Sequence, residues 1–245
     1  MVSPVRAVTQ AGVATLTLDS PGNRNALSAG LVAALRDALA SAAQDDTVRV
    51  VVLTHTGGTF CSGADLKAPC DPADFLALLA EIAALPRPVV ARVTGHVRAG
   101  GLGLLGVCDI AAAGPESTYA FTETHLGVVP AVISAPLLPR LDPRAAARYL
   151  LTAEPFGAAE ATRIGLLTLH SDDVDTALAP VLAGLRKAGP EALAATKRLV
   201  NAPVRDALAR DGAALTALSA RHFASAEARE GITARFERRD PAWSL

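Results

Sequence analysis

The sequence is poor in aromatic residues and cysteine, and each shortage limits what the protein can be. Aromatic residues make up 4% of the 245 residues although hydrophobic residues make up 51%. We therefore expect an aliphatic, alanine-rich core of closely packed helices, with some apolar surface buried between subunits. The three cysteines match no zinc or redox spacing. They are typical of small buried side chains in a reducing compartment.

An excess of positive charge and a long apolar run are also missing. The net charge is −1, without the basic excess that non-specific nucleic-acid binding requires. No run approaches the roughly 18 apolar residues of a membrane helix, and the longest candidate, 126–138, is interrupted by Pro130 and Pro136. Residues 1–6 lack the apolar centre of a signal peptide. We predict a cytoplasmic protein with neither a nucleic-acid nor a membrane partner.

Metal ligands are scarce as well. None of the five histidines has H-x-x-x-H spacing or stands in a carboxylate cluster, so no metal site is predicted. His96 and His125 lie beside glycine-rich segments. For both, a surface or supporting position is favoured over a role in placing water.

The N-terminal part alternates strands and helices, which is typical of an α/β core. Strands are predicted at 13–18, 48–53, 89–93 and 109–113, and helices at 28–43, 72–85 and 101–107. Six further helices are predicted at 144–151, 158–164, 176–188, 192–201, 204–223 and 225–239. We assign residues 1–185 to the α/β core and residues 186–245 to a C-terminal helical region that serves oligomerisation.

Residues 101–106 satisfy the pattern G-x-G-x-x-G. In a dinucleotide-binding protein this pattern directly follows a strand, but the nearest predicted strand ends near Val93. Glycines without side chains also allow a helix to approach a ligand or a neighbouring backbone closely. The second interpretation is favoured.

Glu123 is the carboxylate of most interest because apolar residues surround it in the sequence. Burial there would disfavour its charged form and raise its pKa into a range useful for proton transfer. A capping or loop carboxylate has the same local sequence. The residue alone leaves both interpretations open.

Motifs in a fixed order extend over almost the whole chain. They are N-R-N-A-L at 23–27, F-C-S-G-A-D-L at 60–66, R-P-V-V-A at 87–91 with the glycine-rich segment 95–103, C-D-I-A-A-A at 108–113, Y-A-F-T-E-T-H-L-G-V-V-P at 119–130, A-R-E-G-I at 228–232 and E-R-R-D-P-A-W at 237–243. Together they resemble the enoyl-CoA hydratase/isomerase (crotonase) family. The resemblance implies a crotonase-type α/β core of repeated ββα units with a C-terminal helical extension, assembled as a homotrimer or homohexamer.

The resemblance also implies a site for an acyl-CoA thioester substrate, with no separate cofactor. The N–H groups of Ala64 and Gly100 would form an oxyanion hole. The coenzyme A groove would be lined by Arg24, Ser62, Ala64, Asp65 and Leu66, and we expect Arg24 and Arg238 to meet the phosphates, Arg238 from a neighbouring subunit.

Glu123 corresponds to the second of the two glutamates of the family. The first would stand at position 103, where this chain has Gly103. Hydration of an enoyl thioester uses a base for water and an acid for the α-carbon, so Glu123 would have to do both. A shift of the double bond needs only one such group.

The resemblance thus leaves several functions open. Residues 130–134 and 146–154 are similar to a bacterial branch that includes hydratases of branched unsaturated acyl-CoAs, and this ranks enoyl-CoA hydratase first. A Δ3-Δ2 enoyl-CoA isomerase, which the absence of a carboxylate at Gly103 favours, ranks second, and a decarboxylase ranks third. The non-enzyme alternative is a CoA-ester-binding relative.

Overall fold

The computed structural model describes residues 3–245. Met1 and Val2, which belong to the segment 1–6 considered above for a signal peptide, lie outside the described residues. The strands are β1 (Val5–Gln10), β2 (Val13–Leu18), β3 (Val50–His55), β4 (Thr59–Cys61), β5 (Val89–Val93), β6 (His96–Arg98), β7 (Ile110–Ala113), β8 (Thr118–Ala120), β9 (Phe156–Gly157) and β10 (Leu169–His170). The helices are α1 (Ala29–Gln44), α2 (Pro72–Ala84), α3 (Gly100–Val107), α4 (Ala131–Leu137), α5 (Pro143–Thr152), α6 (Ala158–Arg163), α7 (Val174–Lys187), α8 (Pro190–Val200), α9 (Ala202–Phe223) and α10 (Ala226–Glu237), with one-turn 3₁₀ helices at Pro21–Asn23 and Thr124–Leu126.

Two sheets organise the N-terminal part. The six-stranded sheet has the order β1-β2-β3-β5-β7-β10, and the four-stranded sheet has the order β4-β6-β8-β9. The pairs β3–β4 and β5–β6 are each followed by a helix, and in each pair the first strand joins the larger sheet and the second joins the smaller. The pair β7–β8 divides between the sheets in the same way. The expected core of repeated ββα units is confirmed.

Both faces of the larger sheet are covered. Val51 and Leu53 of β3 lie in the main hydrophobic core, whereas Val50 and Val52 pack with Val174 and Leu178 of α7 on the opposite face. A parallel strand buried on both faces is apolar at consecutive positions. This explains the consecutive apolar residues at 50–53, which lie within the predicted strand 48–53.

Several elements were not predicted. Strand β1 pairs antiparallel with β2 through a tight turn in which Ala11 and Gly12 both have positive φ. Strands β4, β6 and β8 have three residues each, too few for a period to be recognised.

Helix α4 was also missed, because Pro130 and Pro136 were expected to interrupt this segment. Pro130 stands at the N-cap, where a missing N–H costs little. Pro136 lies inside the helix, in its last turn. There α4 is held by packing against α3 and α9.

The C-terminal helices contact the core of the same chain. Helix α9 packs on α2 and α4, and α10 packs on the Thr124–Leu126 turn. Lys197 of α8 is buried and its Nζ lies 3.0 Å from Asp109 Oδ2. Asn201 donates to the other oxygen of Asp109 and accepts from Arg140 Nη2 at 2.7 Å. Packing of this region on a neighbouring subunit stays a prediction.

Two kinds of feature are absent from residues 3–245. None of the helices described there is both long and apolar enough to cross a bilayer. The same residues contain no group of three or more His, Cys, Asp or Glu side chains placed to hold a metal ion.

Candidate active site

Two loops that carry predicted site residues lie against each other. Leu27 forms a parallel bridge with Ala64, and its N–H donates to the carbonyl of Gly63 at 2.8 Å. The N–H of Ser62 donates to the carbonyl of Arg24 at 3.1 Å. The segments 23–27 and 62–66 therefore lie side by side.

Asn25 holds the first of these loops in place and was not singled out in the sequence. It is fully buried, and its backbone is left-handed with φ 53°. Its Oδ1 accepts from the N–H of Ser20 at 2.8 Å, and its Nδ2 donates to the carbonyls of Thr56 and Thr59 at 3.1 and 2.8 Å. The N-A-L motif contains this residue, but only the fold shows which backbone groups it binds.

The N–H groups of Ala64 and Gly100 belong to adjacent stretches of backbone. A Cβ built on Gly100 would lie 3.8 Å from Ala64 N, and one built on Gly63 would lie 3.2 Å from Gly100 N. Gly100 is the first residue of α3, so its N–H has no helical acceptor. Within residues 3–245, Ala64 N likewise donates no hydrogen bond. Two unoccupied donors side by side can stabilise a carbonyl oxygen that gains negative charge.

Ala99 gives the chain a strained entry into α3. Its φ and ψ are 47° and −121°, a conformation that residues with a Cβ rarely adopt and that costs on the order of 1–3 kcal/mol. Its N–H donates to the carbonyl of Ala120 at 3.1 Å, which ties the strained turn to β8. The strain lies immediately before the Gly100 N–H.

Glu123 follows β8 by three residues, at the start of the Thr124–Leu126 turn. Its side chain is 7% exposed, and its Oε2 has no hydrogen-bond partner among the described residues. Burial raises the pKa of Glu123 to about 7, while a hydrogen bond to its own backbone acts in the opposite direction. The predicted rise of its pKa by apolar surroundings is confirmed. A carboxyl group with this pKa can both accept and donate a proton near neutral pH.

Gly103 faces apolar side chains from two helices. A Cβ built there would lie 2.7 Å from Ile133 Cγ2 and 3.4 Å from Phe75 Cζ. The position where the family has its first glutamate is thus occupied by Ile133 of α4. The sequence contained no signal for this contact, because α4 itself was not predicted.

The other glycines of the G-x-G-x-x-G pattern have similar surroundings. A Cβ on Gly101 would lie 2.8 Å from Cys61 Cβ, and one on Gly106 would lie 2.8 Å from Leu137 Cδ2. All of these glycines lie within α3. The interpretation as close packing, rather than a dinucleotide-binding turn, is confirmed.

The residues predicted to bind coenzyme A differ in their surroundings. Arg24 is exposed and has a left-handed backbone with φ 58°. Asp65 accepts from the N–H groups of Lys67 and Ala68 at 3.0 and 3.3 Å, so its side chain stabilises its own loop. Ser62 and Leu66 are half-buried beside it.

Arg238 lies far from this group in the sequence. It is exposed and caps the C-terminus of α10 with φ 56°. Among the hydrogen bonds of residues 3–245, none joins it to the loop 62–66. Its proposed contact with substrate stays a prediction.

The two histidines beside the site have supporting or surface positions. His96 is exposed, and its Nδ1 lies 2.9 Å from Thr118 Oγ1 on the adjacent strand. His125 is exposed in the turn that follows Glu123. Neither position suggests a function in place of Glu123.

The site has two adjacent, unoccupied backbone N–H donors, and the same chain has a buried carboxyl group whose pKa is raised. These features are typical of the class of proteins that stabilise a negatively charged carbonyl oxygen and move a proton. Comparison with known proteins agrees with this class. A family model described as enoyl-CoA hydratase/isomerase matches residues 8–245. The chain therefore belongs to the enoyl-CoA hydratase/isomerase family, and its fold is of the crotonase type.

Individual relatives match along most or all of their length. The chain is similar to the crystal structure of an enoyl-CoA hydratase from Mycobacterium avium, with 47% identity, a TM-score of 0.92 and 100% coverage of both chains. It is also similar to the solved structure of Pseudomonas aeruginosa AtuE, with 34% identity, a TM-score of 0.77 and coverage of 99% and 100%. Enoyl-CoA hydratase domain-containing protein 3, mitochondrial, of Danio rerio is 29% identical over 96% of this chain and 86% of that protein.

Proposed function

We propose that this protein is an enoyl-CoA hydratase that uses a single glutamate. The observation that carries the proposal is Glu123, a buried carboxyl group with an unpartnered Oε2 and a pKa raised to about 7. The family acts on acyl-CoA thioesters, and two relatives, 47% and 29% identical to this chain, have names that contain enoyl-CoA hydratase. These names support hydration over other reactions of the family.

In the proposed reaction the thioester carbonyl oxygen accepts hydrogen bonds from the N–H groups of Ala64 and Gly100. Each such donor contributes roughly 3 kcal/mol to the stability of an oxyanion. Polarisation makes the β-carbon electrophilic. The oxygen of a water molecule bonds to the β-carbon while the ionised Glu123 takes one of its protons, and the protonated Glu123 then transfers this proton to the α-carbon. The product is a 3-hydroxyacyl thioester, and the carboxylate is regenerated.

Recognition of coenzyme A is assigned to the paired loops. Arg24 is exposed beside the half-buried Ser62, Ala64 and Leu66, so its guanidinium is accessible to phosphate. Arg238 is proposed as a second phosphate contact. Oligomerisation as a homotrimer or homohexamer is part of the same proposal, because it would bring Arg238 from a neighbouring subunit.

One observation favours a second candidate, Δ3-Δ2 enoyl-CoA isomerisation. The position of a second carboxylate is held by Gly103 and closed by Ile133 and Phe75. Moving a proton from the γ-carbon to the α-carbon needs only one carboxylate and no water. The enolate formed between the two steps would use the same oxyanion hole.

One experiment distinguishes these functions. The purified protein is given a panel of 2-enoyl-CoA and 3-enoyl-CoA thioesters, and mass spectrometry and enoyl absorbance are followed together. A hydratase adds the mass of one water to 2-enoyl-CoA, whereas an isomerase converts 3-enoyl-CoA to the conjugated product without a change in mass. Tight binding of acyl-CoA with neither reaction would instead support a CoA-ester-binding relative.

The matched variant is Glu123→Gln, which keeps the size of the side chain and removes its proton exchange. Turnover should fall by at least about 10²-fold while affinity for acyl-CoA changes little. Unchanged turnover would show that another residue moves the proton.

A further inference from the structure

The backbone of helix α10 contacts the backbone of the turn that follows Glu123. A Cβ built on Gly231 of α10 would lie 2.5 Å from the carbonyl oxygen of Leu126. A Cβ built on Gly127 would lie 2.7 Å from the carbonyl carbon and oxygen of Glu227. Each segment thus has a glycine where the backbone of the other approaches. Neither contact leaves room for a side chain.

Gly231 has no other evident reason to be glycine. Gly127 has φ 67° and ends its turn in the left-handed region that favours glycine. Gly231 lies inside α10 and has no positive φ. In a helix interior glycine is less favourable than alanine, so the close approach to Leu126 is the feature that requires it.

The contact is relayed to Glu123 through the backbone. The N–H groups of Leu126 and Val128 donate to the carbonyl of Glu123 at 2.9 and 3.1 Å. None of the described residues donates to Oε2 of Glu123, so the place of the carboxyl group depends on the backbone of this turn and on packing. A shift of Leu126 therefore moves Glu123.

We propose that Gly231 is a positioning residue, which lets α10 dock on the Thr124–Leu126 turn at backbone distance and thereby fixes the position and burial of Glu123. This inference rests on the proposed function of Glu123 and adds a site of control far from it in the sequence.

The effect of docking on Glu123 is one of burial, not of charge. Helices α10 and α5 both pack on the turn. Their ionisable side chains are Glu227, Arg229, Glu230, Arg235 and Glu237 on α10 and Arg144, Arg148 and Tyr149 on α5. None of these side chains shifts the pKa of Glu123, which responds to burial and to its own backbone. Displacement of α10 would admit water and let the pKa fall toward its ordinary value.

The variant that tests this is Gly231→Ala, with Gly184→Ala as the matched control. Gly184 lies within helix α7, and an added Cβ there would meet nothing within 4 Å. Two quantities are measured for both: turnover of enoyl-CoA, and the pKa of Glu123 from carboxyl ¹³C NMR of the full-length protein, assigned with Glu123→Gln. Gly231→Ala should lower turnover about tenfold or more with a change in KM below about threefold, and should lower the pKa. Gly184→Ala should change neither.

A second variant covers the case in which Gly231→Ala does not fold. Ser225 caps α10 by accepting from the N–H of Ala228 at 3.0 Å. Ser225→Ala weakens α10 without placing any atom near the turn, so it should lower the pKa and the turnover in the same direction by a smaller amount.

The outcomes are separable. If Gly231→Ala folds and has the wild-type pKa of Glu123 and wild-type turnover, the proposal is wrong. If Gly231→Ala does not fold, an unchanged pKa of Glu123 in Ser225→Ala overturns the proposal instead. If the pKa falls but the wild-type protein turns over no enoyl-CoA, the positioning role stands and the proposed function fails.

Discussion

Gly103→Ala is expected to destabilise the protein while Ile133 is present and to stabilise it once Ile133 has been shortened. The added Cβ would lie 2.7 Å from Ile133 Cγ2 and 3.2 Å from Ile133 Cβ. Ile133 is 3% exposed and Phe75, on the same side, is 6% exposed. The side chain that must move is therefore enclosed on all sides.

The magnitudes follow from two opposing effects. Overpacking of a buried site costs about 1–3 kcal/mol, whereas alanine is favoured over glycine in a helix by about 1 kcal/mol. The net loss for Gly103→Ala in the wild-type protein is then about 1 kcal/mol. Ile133→Ala alone should cost about 2–5 kcal/mol because it leaves a cavity. In that background the clash with Cγ2 is gone, and Gly103→Ala should gain about 1 kcal/mol from helix propensity and partial filling of the cavity.

Urea unfolding of the single and double variants measures these free energies, provided the slope against denaturant is the same for each. The expected coupling between the two positions is about 2 kcal/mol, within the range for residues in contact. Ile133→Val is the matched control, because it keeps both γ-carbons and should leave Gly103→Ala destabilising. The same sign of effect in the wild-type and Ile133→Ala backgrounds would refute the reasoning.

Four further predictions concern function and stability. Gly103→Glu should disturb folding in the wild-type protein but be accommodated together with Ile133→Ala. In that double variant it should raise the rate of hydration relative to isomerisation in the enoyl-CoA assay. If the double variant folds and binds substrate but the ratio of the two rates is unchanged, a role for a second carboxylate is contradicted. Burial raises the pKa of Glu123 from 4.5 to about 7, so the folded state binds this proton more tightly and stability falls by about 3 kcal/mol as the pH rises through this interval. Glu123→Gln should abolish this part of the pH dependence. The variant should have a higher free energy of unfolding than the wild-type protein above about pH 7 but not below pH 4.5, and a difference between the two proteins that does not vary with pH would contradict the prediction. Lys197→Met should lower the free energy of unfolding in denaturant by about 3–5 kcal/mol, because it leaves the buried carboxylate of Asp109, 3.0 Å away, without its cation. A loss below about 1 kcal/mol would show that water replaces the ammonium group. Arg24→Ala should weaken calorimetric binding of acyl-CoA about tenfold or more, since a charged hydrogen bond contributes about 1.5–3 kcal/mol, while leaving short thioester analogues unaffected; equal losses on both ligands would rule out a phosphate contact.

Much of the fold was predictable because its signals are local. Strand β5 was predicted with its observed bounds, 89–93, where four of the five residues are apolar and Pro86 and Pro88 come directly before. Helix α1 was predicted from residue 28 and begins at Ala29, where Ser28 is the N-cap and its Oγ accepts from Leu31 N at 3.2 Å. The order of the motifs was sufficient to indicate the family and the loops that meet at the site.

Other elements gave no local signal. Strands β4, β6 and β8 are too short to show a period, and they exist because each pairs with a neighbour brought by another ββα unit. Helix α4 contains a proline, and its packing on α3 and α9 is formed only in the folded chain. Propensity and periodicity report on neighbours in the sequence, so elements held by tertiary contacts are missed.

The sequence alone determined which residue types are available for chemistry: one carboxylate at Glu123, no carboxylate at Gly103, and two loops with glycines that leave backbone N–H groups accessible. It could not determine that Ile133 fills the space in front of Gly103, nor that Gly231 brings α10 against Leu126. These pairs lie 30 and 105 residues apart in the chain. Only the tertiary structure brings them into contact, because the distance between two side chains depends on how whole elements pack, and not on the residues that immediately flank them.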